Sequence, residues 1–350
     1  MTMKKIFFAL LATYCIVNQA VAQDPHFSQF YASPLTLNPA LTGAFSGKYR
    51  VSMVYRDQWR SVTPVPTQTS TGAIDLRFEL DQKRTSKDVV NVGMVFVNDK
   101  TNVFNFNTNQ LMVSAGFTKA LTNDNTQFLT AAIQGGVGQK NVNFDNLNFP
   151  DEFNGVSQYN FPSNEVGKLP LNNFSYGDLA AGLNYVIAPR RGVTYHIGLA
   201  AHHLAQPTIS FFEADKGGTA TLKRRYVAHF NAAIPINSRT QISPRFMFQA
   251  QGKHAELNVG TNFRLQFSDY GTTAVHVGGW VRAVRNTPTK VGFDAAVAMV
   301  GFEFNNFLLG LSYDLNLRSV STFKQGQSAF EISLGYLGDY DNDAILCPKF

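Results

Sequence analysis

The chain has 350 residues and a formal net charge of +6, yet only 15% of its residues are charged. That is well below the roughly 25% usual for soluble proteins, and an ordinary soluble surface is excluded. Aromatic residues reach 13%, which excludes a disordered chain. A mean hydropathy of -0.12 excludes a bundle of membrane helices. Strands with one apolar and one polar face fit this composition, and they describe a transmembrane β-barrel.

The first element is a secretory signal peptide over residues 1–22. Lys4 and Lys5 form its basic start, Ile6 to Val17 its apolar stretch, and Ala20-Val21-Ala22 a small-x-small cleavage site. Cleavage falls between Ala22 and Gln23. A membrane anchor is the competing reading, but a spanning helix needs about 20 apolar residues. Loss of Lys4 and Lys5 brings the net charge to +4. Cys15 leaves with the signal and lacks the residues that precede a lipoprotein cysteine. Cys347 then stands alone, so an intrachain disulfide and a multi-cysteine zinc site are both ruled out. No later apolar run reaches the length of a spanning helix.

Strands are expected at 49–61, 70–80, 89–100, 105–121, 127–142, 175–188, 194–208, 224–236, 240–251, 254–267, 272–283, 290–304, 306–317 and 329–338. The 254–267 stretch shows the pattern best. Leu257, Val259, Thr261, Phe263, Leu265 and Phe267 share one face; Glu256, Asn258, Gly260, Asn262, Arg264 and Gln266 share the other. Period-two alternation of this kind belongs to a strand. In 306–317, Phe307, Leu309, Leu311, Tyr313, Leu315 and Leu317 face one way, and Leu308 breaks the rule on the other face. Gly252-Lys253, Asn305-Asn306 and Ser268–Gly271 read as tight joins. The expected fold is an all-β transmembrane antiparallel β-barrel of about 14 strands, even in number as in bacterial barrels. A soluble sandwich would have shorter strands and a charged outer face. Tyr55, Trp59, Phe78, Phe117, Tyr185, Tyr226, Trp280 and Tyr313 are candidate interface aromatics.

Four segments follow from this reading: the signal peptide 1–22, an N-terminal segment 23–48, the barrel 49–338 and a C-terminal tail 339–350. The longest irregular stretches, 143–173 and 211–223, read as extracellular loops.

The chain offers no catalytic grouping, and the protein is read as a non-enzyme without cofactor. There is no Gly-x-Ser-x-Gly elbow. His202 and His203 are adjacent and would face opposite sides of a strand, which argues against a shared metal. Asp339–Asp343 opens like a calcium loop, but Ala344 and Phe350 stand where Gly and Glu are needed, so no metal site is assigned. Lys223-Arg224-Arg225 suits a strand mouth near lipid headgroups, and no nucleic-acid partner is expected.

Several segments together resemble a known family. They are Gln23–Tyr31, Pro34–Gly43, Tyr49-Arg50, Tyr55–Trp59, His202–Pro207, Gly310–Asp314, Ala329–Leu334 and Cys347-Pro348-Lys349-Phe350. In this order they are similar to the PorP/SprF family of type IX secretion membrane proteins of the Bacteroidota, with Lys349 where Arg is common. The resemblance implies a protein of the cell outer membrane, in contact with its lipid, that works with the type IX secretion machinery. It implies support for export or surface anchoring of cargo with a C-terminal sorting domain, including adhesins in gliding relatives. Asn38-Pro39-Ala40 also resembles an element of fatty-acid-transporter barrels, whose N-terminal segment plugs the lumen. Residues 23 to about 45 are therefore expected to enter or cap this barrel. Two other readings stay open: a channel or hydrophobic-solute transporter of the fatty-acid-transporter type, and an outer-membrane hydrolase.

Overall fold

The computed structural model describes residues 24–60, 66–80, 87–101, 106–144, 149–153, 169–189, 192–212, 220–267, 272–287, 290–317 and 328–338. The signal segment, the cleavage positions Ala22 and Gln23, the acidic run 339–343 and Cys347 lie outside the described residues.

Fourteen strands follow in order: β1 (Tyr49–Gln58), β2 (Thr67–Glu79), β3 (Val89–Thr101), β4 (Phe106–Ala120), β5 (Gln127–Asn141), β6 (Asn173–Ile187), β7 (Thr194–His202), β8 (Arg225–Pro235), β9 (Thr240–Gln251), β10 (His254–Gln266), β11 (Ala274–Thr287), β12 (Lys290–Phe304), β13 (Phe307–Asn316) and β14 (Ala329–Gly338). Each pairs antiparallel with its sequence neighbours. β1 also pairs with β14, from Tyr49↔Gly338 to Gln58↔Ala329, and closes the barrel. Closure pairs the first strand with the last, so neither is left as an open sheet edge in hydrocarbon. The shortest strand, β7, has 9 residues and the longest have 15, while about 9–11 tilted residues cross a bilayer.

The alternation sorts side chains as the sequence implies. On β10, Val259, Phe263 and Leu265 are exposed on the outer face, whereas Glu256, Asn258 and Asn262 are buried on the inner one. On β13, Leu309, Leu311, Tyr313 and Leu315 point outward and Ser312 and Asp314 inward. The outer wall has an apolar hollow of about 970 Å³ across β3–β9, where Ala115, Ala131, Ala181, Ala201 and Ala228 interrupt larger side chains such as Ile133 and Leu199. The ladders β4–β5, β5–β6, β6–β7 and β7–β8 separate this hollow from the lumen.

Several strand limits and one orientation differ from expectation; β2, for one, starts at Thr67 rather than 70. β7 ends at His202 rather than 208, because His203 and Gln206 turn the chain with φ of 57° and 45° and Pro207 offers no N–H. β1 stops at Gln58 because Trp59 takes φ 64°. β11 continues past 283 to Thr287 through two register shifts against β12, and such bulges break the alternation a reader follows. Trp280 is not an interface residue. It is 5% exposed and faces inward with His276 and Arg282, the even-numbered set of its strand.

The two ends of the barrel differ. One holds the start of β1, the end of β14 and short connections such as 121–126 and Asn305-Asn306. The other holds the long connections 142–172 and 203–224. In outer-membrane barrels short turns face the periplasm and long loops the exterior.

Candidate functional site in the barrel lumen

Residues 24–48 lie against the inner wall and run from the long-loop end to the short-turn end. Their local structure is a chain of small turns. A 3-10 turn over Phe30–Ala32 leads to a one-turn helix, Pro34–Leu37, and a second 3-10 turn, Pro39–Leu41. Pro34 and Pro39 each stand at a first turn, where a missing N–H costs nothing. Short turns leave many backbone groups unpaired, so the segment depends on partners from the wall.

At the exterior end, His203 lies between two carboxylates. Its Nε2 is 2.6 Å from Asp24 and its Nδ1 2.6 Å from Asp178. Arg225 approaches Asp24 at 3.3 Å, and the Asp24 N–H donates to Gln251 at 3.0 Å. Burial alone would lower the basicity of His203, but the hydrogen bonds to Asp178 and Asp24 outweigh it and raise its pKa to about 9. Burial alone would raise Asp24, but Arg225 and His203 hold its carboxyl well below the usual range. His202 is also buried, and its Nε2 sits 3.2 Å from the Leu37 carbonyl. The two adjacent imidazoles therefore both turn into the lumen. Alternation fails here because the strand ends between them.

This latch has a pH signature. The folded pKa of His203 exceeds its ordinary value of 6.5. Its stabilisation is complete below about pH 6.5 and is lost as pH rises through about 9, on the order of 3 kcal/mol in all. Protease accessibility of residues 24–45 in detergent should rise between pH 7 and 10, and His203→Gln should abolish the step. A flat profile in the native protein would contradict the latch.

A few residues deeper, the backbone N–H groups of Ser28 and Gln29 donate to the two oxygens of Glu331, at 2.6 and 2.8 Å. Ser28 Oγ donates to Asp314 at 2.6 Å and accepts from Arg56 and Arg282 at 2.9 and 3.0 Å. Arg56 also pairs with Glu331 and with Asp314, and Arg282 pairs with Asp314 and Asp294. Gln29 exchanges hydrogen bonds with Ser312 and Ser333. The charges of Arg56, Arg282, Asp314 and Glu331, which could have lined an open channel, are thus spent on one another and on this segment.

Leu35 is fully buried among Ala73, Val95, Val97 and Met112. Asn38 caps the second 3-10 turn by accepting from the Ala40 N–H at 2.8 Å. Its amide nitrogen donates to the carbonyls of Leu183 and Leu199 and lies 3.0 Å from His229 Nε2. Gly182 makes room for it: a Cβ there would stand 1.9 Å from Asn38 Oδ1. Pro39 and Ala40 are buried beside it. Asn38-Pro39-Ala40 is therefore a buried corner, tied to β6, β7 and β8. Further on, Gly43 takes φ 71° and gives its N–H to Asp75 at 2.8 Å. Arg50 binds the same carboxylate and the Leu41 carbonyl. Lys48 then donates to the Gly338 carbonyl and leads into β1.

Among the described residues no group of three His, Cys, Asp or Glu is placed to hold a metal. His203, the histidine set most tightly between carboxylates, has no Ser or Cys among its hydrogen-bond partners. The sequence reading did not connect Ser28 and Gln29 to the wall charges that receive them. The signal was present in Arg56, Arg282, Asp314 and Glu331, four charges at inward positions of their strands.

Solved barrels share this architecture. The toluene transporter TodX of Pseudomonas putida is similar with a TM-score of 0.51 at 10% identity, covering 91% of this chain and 96% of that one. A TodX mutant described as a monoaromatic hydrocarbon channel gives 0.53 at 9%, covering 87% and 94%. At such identities the likeness concerns the fold alone. No curated protein matches the chain. The family model for type IX secretion system membrane protein PorP/SprF matches residues 19–336, which includes the N-terminal segment and nearly all of the barrel. A closed fourteen-stranded barrel with this match over most of its length belongs to the PorP/SprF family of type IX secretion system membrane proteins.

Proposed function

We propose that this outer-membrane barrel is an anchor for the type IX secretion machinery, and that it supports export or surface retention of cargo carrying a C-terminal sorting domain. In this reading residues 23–48 act as a plug, the lumen is not the conduit, and cargo is held at the rim and long loops. The observation that carries it is the filling of the lumen: Ser28, Gln29, Leu35, Asn38, Ala40 and Thr42 are all buried against inward-facing strand residues. A wall of fourteen strands is also too narrow to pass a folded adhesin. Cleavage after Ala22, with Gln23 as the new terminus, belongs to the same proposal.

Native protein purified from outer membranes in mild detergent should co-purify with a large secreted protein bearing a sorting domain, or with secretion components. Mass spectrometry of the same sample should find a peptide beginning at Gln23. A partner-free barrel would favour the alternative, a hydrophobic-solute channel. That reading has support in the TodX-like fold, and the outer hollow would then be a lateral route. It requires a breach beside the hollow, where the β6–β7 ladder pairs from Ala181↔Ala201 to Ile187↔Tyr195.

A further inference from the structure

Arg245, on β9, differs from the other buried arginines of the lumen. Arg50 pairs with Asp75, Arg56 with Asp314 and Glu331, Arg225 with Asp24, and Arg282 with Asp294 and Asp314. Arg245 is 7% exposed, and its Nε and Nη1 are buried without a hydrogen-bond partner. Its guanidinium lies over the ring of Tyr31, 3.6 Å from the centroid. A ring face offsets only part of the cost of burying a cation without a counter-charge.

Two further donors are orphaned beside it. Tyr31 Oη and Trp280 Nε1 are both buried without partners. Trp280 meets Tyr31 edge-on, with centroids 5.8 Å apart. In the sheet register Gly260 lies between them, paired with Arg245 on one side and Trp280 on the other. A side chain cannot be added there, since a Cβ on Gly260 would come within 2.2 Å of Trp280 Cβ. Three neighbouring inward positions thus read Arg, Gly, Trp, with Tyr31 of the N-terminal segment laid against them.

We propose that Arg245, Tyr31 and Trp280 form a lumenal binding site for a small monovalent anion, a halide or a small carboxylate. All the orphaned groups named are donors or can donate, and one of them carries a full charge. Water would serve the indole and the phenol but would leave the guanidinium uncompensated. Asn231, across from Arg245 in the β8–β9 ladder, has an unpartnered Oδ1, but that neutral acceptor leaves the charge uncompensated as well. The bound anion ties Tyr31 to β9 and β11 and so staples the N-terminal segment to the wall.

The chain has two Trp, so Trp59→Phe leaves Trp280 as the sole indole reporter. Bromide titrated into this variant at constant ionic strength, with gluconate as the large inert anion, should quench fluorescence saturably. Chloride and formate should compete, and the tighter competitor identifies the site as halide or carboxylate. Adding Arg245→Met should weaken bromide binding roughly tenfold or more, as expected for loss of a charged hydrogen-bond donor. Adding Arg245→Lys should weaken it less. Crystals of the native protein soaked in bromide should show an anomalous peak in contact with Arg245, a readout that does not depend on the variants folding. Linear quenching that is identical with and without Arg245, or bromide-soaked crystals with no peak there, would overturn the proposal.

Discussion

Glu331→Ala is expected to destabilise the barrel by about 3–5 kcal/mol, the cost of removing one member of a buried ionic network. Glu331 is fully buried, and the change strips an acceptor from Arg56 and from the Ser28 and Gln29 N–H groups at once. The shift should be visible as a lower midpoint of urea unfolding in detergent micelles. Glu331→Gln, which keeps one acceptor oxygen, should cost less. Arg56→Met combined with Glu331→Ala should cost less than the sum of the two single changes, because neither charge is then left alone. An effect below about 1 kcal/mol for the alanine variant would mean that the network is solvated and does not hold the segment.

Removal of residues 24–45 is expected to give the largest functional change, from a barrel with little or no conductance to a stable open channel in planar bilayers. The segment supplies Leu35, Asn38 and Thr42 to the middle of the lumen, each essentially inaccessible to solvent. It also neutralises wall groups such as Asp75, which accepts from the Gly43 N–H. Arg50 and Asp75 would then face water as a charge pair in the pore, so the opened channel should also be sensitive to ionic strength. Equal conductance with and without the segment would contradict the plug and move weight to the channel reading.

The barrel itself was readable from the alternation of single residues. β10 and β13 show why: lipid demands an apolar outer face, and the lumen tolerates Asn, Gln and Ser. Where local backbone geometry overrides alternation, the reading failed. His203 escapes the opposite-face rule through a positive φ that its sequence does not announce. Trp280 looks like a girdle residue until its register with Gly260 reveals the space that admits it. The Asn38 corner was marked by family resemblance alone, because its partners are main-chain carbonyls of Leu183 and Leu199, which no side-chain pattern encodes. The exchange between Ser28 and Glu331 spans 303 positions in sequence, and only the closed sheet brings them together.

That last contact bears on how the molecule is assembled. Arg56 stands on β1 and Glu331 on β14, the two strands whose pairing is the seam. Ser28 touches both. A segment that contacts both sides of the seam from within adds a second bond between the first and last strands, beside their own backbone ladder. Ser28 and Gln29 thus act as an internal clasp on the seam. The pairing of chain ends closes the longest loop in the barrel, and a clasp that spans it offsets part of that closure entropy.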